Sequence, residues 1–177
     1  WFGNLNFGTT GFNPGTTALN VSSLTLSPLA VYPGLSVTTV GTGTITCAGN
    51  AIVTLTVNCP GGTTTLGGPL SYTLATATTT LTAGTLDLNG NNLTTGLFSS
   101  NVSNTRAINF GSNYIDLATT TLATTNLAMG TATGFTCTGT GGFRAAANIT
   151  RTFNCGTSGG NSAGAPNLFL TTGTAVQ

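Results

Sequence analysis

The chain has 177 residues, enough for one domain with a real hydrophobic core. Charge is the outlier: three Arg, two Asp and no Lys, Glu or His leave 3% of residues charged, against about 25% in ordinary domains. A net charge of +1 gives no basic stripe for a phosphate backbone, which argues against nucleic-acid binding; His, Glu and Lys are absent as acid–base groups, and without His or a Cys-x-x-Cys spacing a zinc site is not expected.

Thr is the commonest residue and Gly numbers 26, while the strong helix formers Glu, Lys and Gln are nearly missing. β-branched Thr favours extended backbone, so this composition predicts strands throughout. In chain order they are "SLTLS" around Leu24, "TITC" around Ile45, "IVTLTVNC" from Ile52, "TLDLNG" around Leu86 and "AINFG" at Ile108. "YIDL" at Ile115, "NLAM" at Leu127 and "NLFL" at Leu168 follow. Turn chemistry separates them: "NPG" at 13–15, "YPG" at 32–34, "CPGG" at 59–62, "GGP" at 67–69 and "NGNN" at 89–92. No helical periodicity emerges, and the Ala-rich "FRAAANITRTF" is too short for a helix. A hydrophobic content of 39% with nine Phe opposes disorder or a glycosylated stalk. No apolar run approaches the roughly 18–20 residues that cross a bilayer, so no membrane span is expected. A start at Trp1 without a signal-peptide pattern reads as a processed form or an excerpt of a longer product.

Leu5, Leu24, Ile45, Leu66, Leu86, Ile108, Leu127, Ile149 and Leu168 recur at nearly even intervals of about 20 residues. That interval suits one coil of a parallel β-helix, a solenoid whose inward positions stack apolar side chains and whose outward positions carry Thr, Asn and Ser. A β-sandwich of jelly-roll or Ig-like type, with strands about every 8–12 residues, is the alternative fold. Either way residues 1–177 form a single all-β structural domain, or one unit of a longer array. Alternation makes Leu88 and Ile108 core, and turns Thr85, Asp87, Asn89 and Asp116 outward. The chain ends echo each other: Asn4-Leu5 matches Asn167-Leu168, at an offset equal to the full span of the Leu and Ile series.

The segment "GTLDLNGNNLTTGLFSSNVSNTRAINFGSNYIDL" (84–117), with the "NL-F" strands at both ends, resembles repeat segments of large Thr/Asn/Gly-rich proteins. These are predicted β-helical fibre or surface proteins of bacteriophages and marine bacteria. The resemblance implies an elongated extracellular or virion structural protein with no catalytic residues to carry over. The four Cys are a departure from many such proteins.

No reactive constellation stands out. Asp87 and Asp116 lie about one and a half coils apart and should not form a carboxylate pair, and calcium would need more carboxylates. Ser has no His or Lys to activate it, and the Gly-rich pieces lack the Lys and helix of a phosphate loop. No catalytic, cofactor-binding or metal-ligating residue is therefore assigned, and no cofactor is expected. Arg106, Arg144 and Arg151 are candidates to pair with the two Asp or with a neighbouring subunit, against plain solvent exposure. Candidate glycosylation sequons lie at Asn20, Asn92, Asn101 and Asn148. The even set of four Cys suits an oxidising setting. Cys137 and Cys155 are separated by close to one coil and are expected to form a disulfide; Cys47–Cys59 is expected as a local-loop disulfide.

These readings make the chain a non-enzymatic, self-assembling subunit of an extracellular filament or virion appendage. Its partner would be itself, joined head-to-tail through Leu5 and Phe7 at one end and Leu168 and Leu170 at the other. Two alternatives stand beside it: a pilin-like β-sandwich that polymerises by donor-strand exchange, and an adhesin module that binds surface glycans.

Overall fold

The computed structural model describes residues 2–7, 18–26, 34–47, 52–71, 77–118, 125–131, 133–145, 152–154 and 166–170. Every regular element among them is a β-strand. In chain order these are β1 (Phe2–Phe7), β2 (Ala18–Leu26), β3 (Ser36–Thr39), β4 (Gly43–Thr46), β5 (Thr54–Leu66), β6 (Leu70–Ser71), β7 (Thr78–Asp87) and β8 (Leu93–Thr95). The remainder are β9 (Leu97–Ser99), β10 (Arg106–Gly111), β11 (Tyr114–Leu117), β12 (Thr125–Ala128), β13 (Phe135–Gly139), β14 (Gly142–Ala145), β15 (Thr152–Asn154) and β16 (Asn167–Leu170).

All pairings between these strands are parallel, and each joins a strand to the corresponding one a turn earlier or later. The fold is a parallel β-solenoid with three faces. The first face stacks the start of β2, then β3, the starts of β5 and β7, and β9, β12 and β15. The second stacks β1, the end of β2, β4, the ends of β5 and β7, and β10 and β13. The third is a separate five-stranded sheet of β6, β8, β11, β14 and β16. The β-sandwich alternative falls, because its sheets are antiparallel.

Alternation drives the coil. Leu55 and Val57 in β5, Thr79 and Leu81 in β7, and Ile108 and Phe110 in β10 are buried, while the residues between them face outward. Stacked inward residues form one continuous core, with Val37–Leu55–Thr79–Phe98–Leu127 down the first face and Leu70–Leu93–Ile115–Phe143 down the third. Phe143 anchors its later turns, with its ring 5.0 Å from Phe98 and 5.5 Å from Phe110. Asn side chains tie several positions to the preceding turn. The amides of Asn89 and Asn91 both donate to Leu66 O, at 3.2 and 3.1 Å, and that of Asn167 donates to Thr140 O and Gly141 O. Asn89 and Gly90 form the "NG" turn with φ of 47° and 78°.

The series of Leu and Ile landmarks stacks as read from Leu5 through Leu24 and Ile45 to Leu66, and from Leu86 to Ile108. It then departs. Cys137, not Leu127, lies on Ile108, while Leu127 lies on Phe98 and Leu168 on Phe143. Ile149 is outside the described residues. Turns are about 22 residues apart, slightly longer than the sequence interval. They lengthen late in the chain, as the wide step from Ile108 to Cys137 shows. The solenoid has inward apolar positions on all three faces, so evenly spaced Leu and Ile can lie on different faces. "CPGG" is not a turn between strands but an irregularity inside β5, where the register shifts between Asn58 and Thr63.

Gly84 permits this irregularity. Its φ is +83°, and a Cβ there would strike the backbone carbonyl of Cys59 one turn below.

Candidate functional site

The described strands nearest the two chain ends are edge strands. Among the described residues β1 pairs only with β2, and β16 only with β14. Leu168 and Phe169 are the large apolar side chains that remain open among them, at 39% and 36% exposure. Leu168 continues the inward stack of Phe143, so its exposure marks an open end of the core. The side chains of Leu5, Phe7 and Leu170 lie outside what is described. Leu5 sits on the second face and Leu168 on the third. The sequence echo between the ends therefore does not mark equivalent rungs, and a partner chain would have to rotate by a face to continue one with the other.

Of the three arginines, two find partners of quite different kinds. Arg144 in β14 faces outward beside Asp116 of β11, with Nε to Oδ1 at 2.5 Å and Nη2 to Oδ2 at 2.9 Å. That hydrogen bond raises the pKa of Arg144 further above its ordinary value. Its guanidinium also lies 4.5 Å from the centre of the Tyr114 ring, which meets Phe169 edge-on at 5.2 Å. Gly142 lies opposite Tyr114 in the register, and Phe169 lies opposite Arg144.

Arg106 does not face solvent, contrary to one expectation for it; it is 1% exposed. Its Nε donates to Ser100 Oγ at 2.6 Å, Nη1 to Asn104 O and Thr133 O, and Nη2 to Ser100 O and Thr131 O. All five N–H groups are thus engaged without a carboxylate. Burial pulls its pKa below the ordinary value. The Phe135 ring lies 5.4 Å from the guanidinium. Arg106 ties two successive corners together, 100–104 and 131–133. Arg151 is outside the described residues.

Beside it, the corners between the first and second faces enclose an open groove of about 660 Å³. Thr63, Thr85, Thr105, Thr133 and Phe135 line it, with Gly61, Gly62 and Gly84. Asp87 lies opposite Asn109 on the second face and Asp116 on the third, so the two carboxylates do not meet. Among the described residues no group of three or more His, Cys, Asp or Glu could hold a metal. No helix among them is long and apolar enough to cross a membrane.

The sequons differ in access. Asn20 and Asn101 are exposed, and Asn101 Oδ1 accepts from Thr131 Oγ1. Asn92 is tied into a corner, its Oδ1 accepting from Asn113 Nδ2 and Tyr114 N. Asn148 is outside the described residues.

Comparison with protein-family models, curated proteins and solved structures finds no match. The resemblance of 84–117 to fibre repeats rests on its own residues.

The Cys47–Cys59 disulfide is not formed: both are free, buried thiols. Cys47 follows β4, level with the end of β5, where Gly67 N donates to Ile45 O. Cys59 lies at the start of the second face one turn on, its Sγ 3.5 Å from Thr64 Oγ1 and 3.8 Å from Ala83 O. The chain between the two rises to the next coil instead of closing a local loop, and it leaves the thiols at opposite ends of that face. Cys137 lies in β13, and Cys155, its expected partner, is outside the described residues.

Burial pushes the Cys47 thiol up to about 12. From pH 9 upward the unfolded chain loses this proton while the folded chain keeps it. Stability should therefore fall as pH rises from 9 towards 12, by at most about 1.4 kcal/mol per pH unit from this group. Urea midpoints across that range should decline less steeply in Cys47→Ala than in the parent. Equal slopes would show that the thiol does not titrate in the unfolded chain alone.

Proposed function

We propose that the protein is a structural, non-catalytic subunit that associates head-to-tail into an extracellular filament or virion fibre. The observation that carries this is the pair of parallel edge strands, β1 and β16, each paired on one side only among the described residues, with Leu168 and Phe169 open beside one of them. Such edges present unpaired N–H and C=O groups, and proteins normally guard them with charge or Pro. With 3% charged residues this chain has little repulsion to keep copies apart. Ends that differ make a heterologous contact, and a heterologous contact that does not close gives a filament. Donor-strand exchange as in pilins loses its support with the sandwich.

Electron microscopy and light scattering at rising protein concentration should show rods that lengthen. Deleting Pro166–Gln177, or replacing Leu168 with Asp in the full chain, should leave a folded subunit that stays short. Rods of unchanged length in both variants would show that this end is not the joint.

The groove beside Thr63 and Phe135 favours a second reading, a glycan-binding adhesin module. Its hydroxyls and one aromatic ring suit a neutral sugar, and a glycan array with no hit above background would remove that reading.

A further inference from the structure

The first face carries a two-dimensional array of hydroxyls. From β3 to β9 its outward positions are Ser36 and Thr38 on β3, Thr54 and Thr56 on β5, Thr78 and Thr80 on β7, and Leu97 and Ser99 on β9, all but Leu97 hydroxyl-bearing, and Ala18 and Asn20 of β2 and Ala128 of β12 bound them. Between them Val37, Leu55, Thr79 and Phe98 point into the core. The register aligns them in two files: Ser36–Thr54–Thr78–Leu97 and Thr38–Thr56–Thr80–Ser99. No register shift interrupts the files between β3 and β9, since the irregularity in β5 begins after Val57. Successive rungs lie about 4.8 Å apart, and the two files are separated by two residues of strand rise, roughly 6.6 Å.

We infer that this face binds ice. Three features select an ordered water lattice. The array repeats along the stack and is two files wide, and both spacings are near those between oxygens on the prism planes of hexagonal ice. Thr offers a hydroxyl to replace a lattice water and a methyl to fill the space between waters, and its β-branch restricts χ1 so that both are held in place. No charged residue stands in the array: Asp87, Asp116 and Arg144 lie on the other two faces, and Arg106 points inward. A charge would hold its own hydration shell against the lattice.

The same features disfavour other occupants. A protein partner normally seats on aromatic or Arg anchors, and the outward positions of β3, β5, β7 and β9 offer none. Sugar recognition likewise draws on aromatic rings, which here occupy the groove and the third face.

The inference is independent of the filament reading, because ice binding is read on single subunits as well as on rods. Ice grown slowly from a dilute solution of the full chain should enrich it relative to an inert protein mixed in. Crystals grown in its presence should be faceted. Thr56→Tyr and Thr80→Tyr, at the centre of the array, should each cut enrichment by about tenfold or more, equivalent to about 1.4 kcal/mol of binding. Thr136→Tyr, outward on the second face, should behave like the parent, and all three should melt together by circular dichroism. Exclusion of the parent from ice to the same degree as the inert protein overturns the inference. So does an equal loss in Thr136→Tyr, or lateral clustering of subunits that Thr56→Tyr abolishes while ice partitioning stays unchanged.

Discussion

Arg106→Met should cost at least about 3 kcal/mol of stability, read as a lowered urea midpoint with unchanged slope. Two effects compete. Removing the guanidinium relieves the desolvation of a buried cation that has no carboxylate partner. It also strips hydrogen bonds from Ser100 O, Ser100 Oγ, Asn104 O, Thr131 O and Thr133 O. Each hydrogen bond to a charged donor is worth about 1.5–3 kcal/mol, and an acceptor left buried and unsatisfied costs about 1–3 kcal/mol. The two Ser100 acceptors lie in fully buried bonds and the other three in part-buried ones, and together they outweigh one relieved charge. Arg106→Lys keeps the charge but offers three donors in place of five, so it should fall between parent and Met. A Met variant within about 1 kcal/mol of the parent would mean that water reaches these carbonyls and that Arg106 does not brace the corners.

The inward place of Arg106 was legible in the sequence. In "RAINFG" it shares parity with Ile108 and Phe110, both apolar and both buried. Composition pulled the other way, since an Arg is almost never fully buried without partners. Its partners are backbone carbonyls, which alternation does not reveal. The Asp116–Arg144 pair was half legible. Each residue sits between inward neighbours, Ile115 and Leu117 or Phe143 and Ala145, so its outward direction follows. Their meeting depends on a sequence separation of 28, longer than the spacing of the early coils. Coil length is set by corners, and corners tolerate insertion at little cost in closure entropy. A fixed period therefore reads the early rungs, slips by two residues at the irregularity in β5, where Leu86 lies on Thr64, and is lost after Ile108. The array on the first face was legible as Thr-rich strands, but its two files required the register.

Leu88→Asp should be the most damaging single exchange near the "NG" turn. Leu88 is 0% exposed and its N–H donates to Asn109 O in the next turn, so the new carboxylate would enter the core at a point fixed by the ladder. A buried carboxylate without a partner either costs several kcal/mol or takes up a proton. Proton uptake gives the effect a signature. The folded variant would hold the group at a raised pKa while the unfolded chain ionises near pH 4, so its deficit should grow as pH climbs above about 4 and shrink again on acidification. Thr85→Asp puts the same group on the outward side of β7 and should cost about 1 kcal/mol or less, with no such growth at neutral pH. The contrast tests the face assignment and the register together. A Leu88→Asp variant that melts like the parent while Thr85→Asp unfolds would invert the inside and outside of β7, and with it the coil.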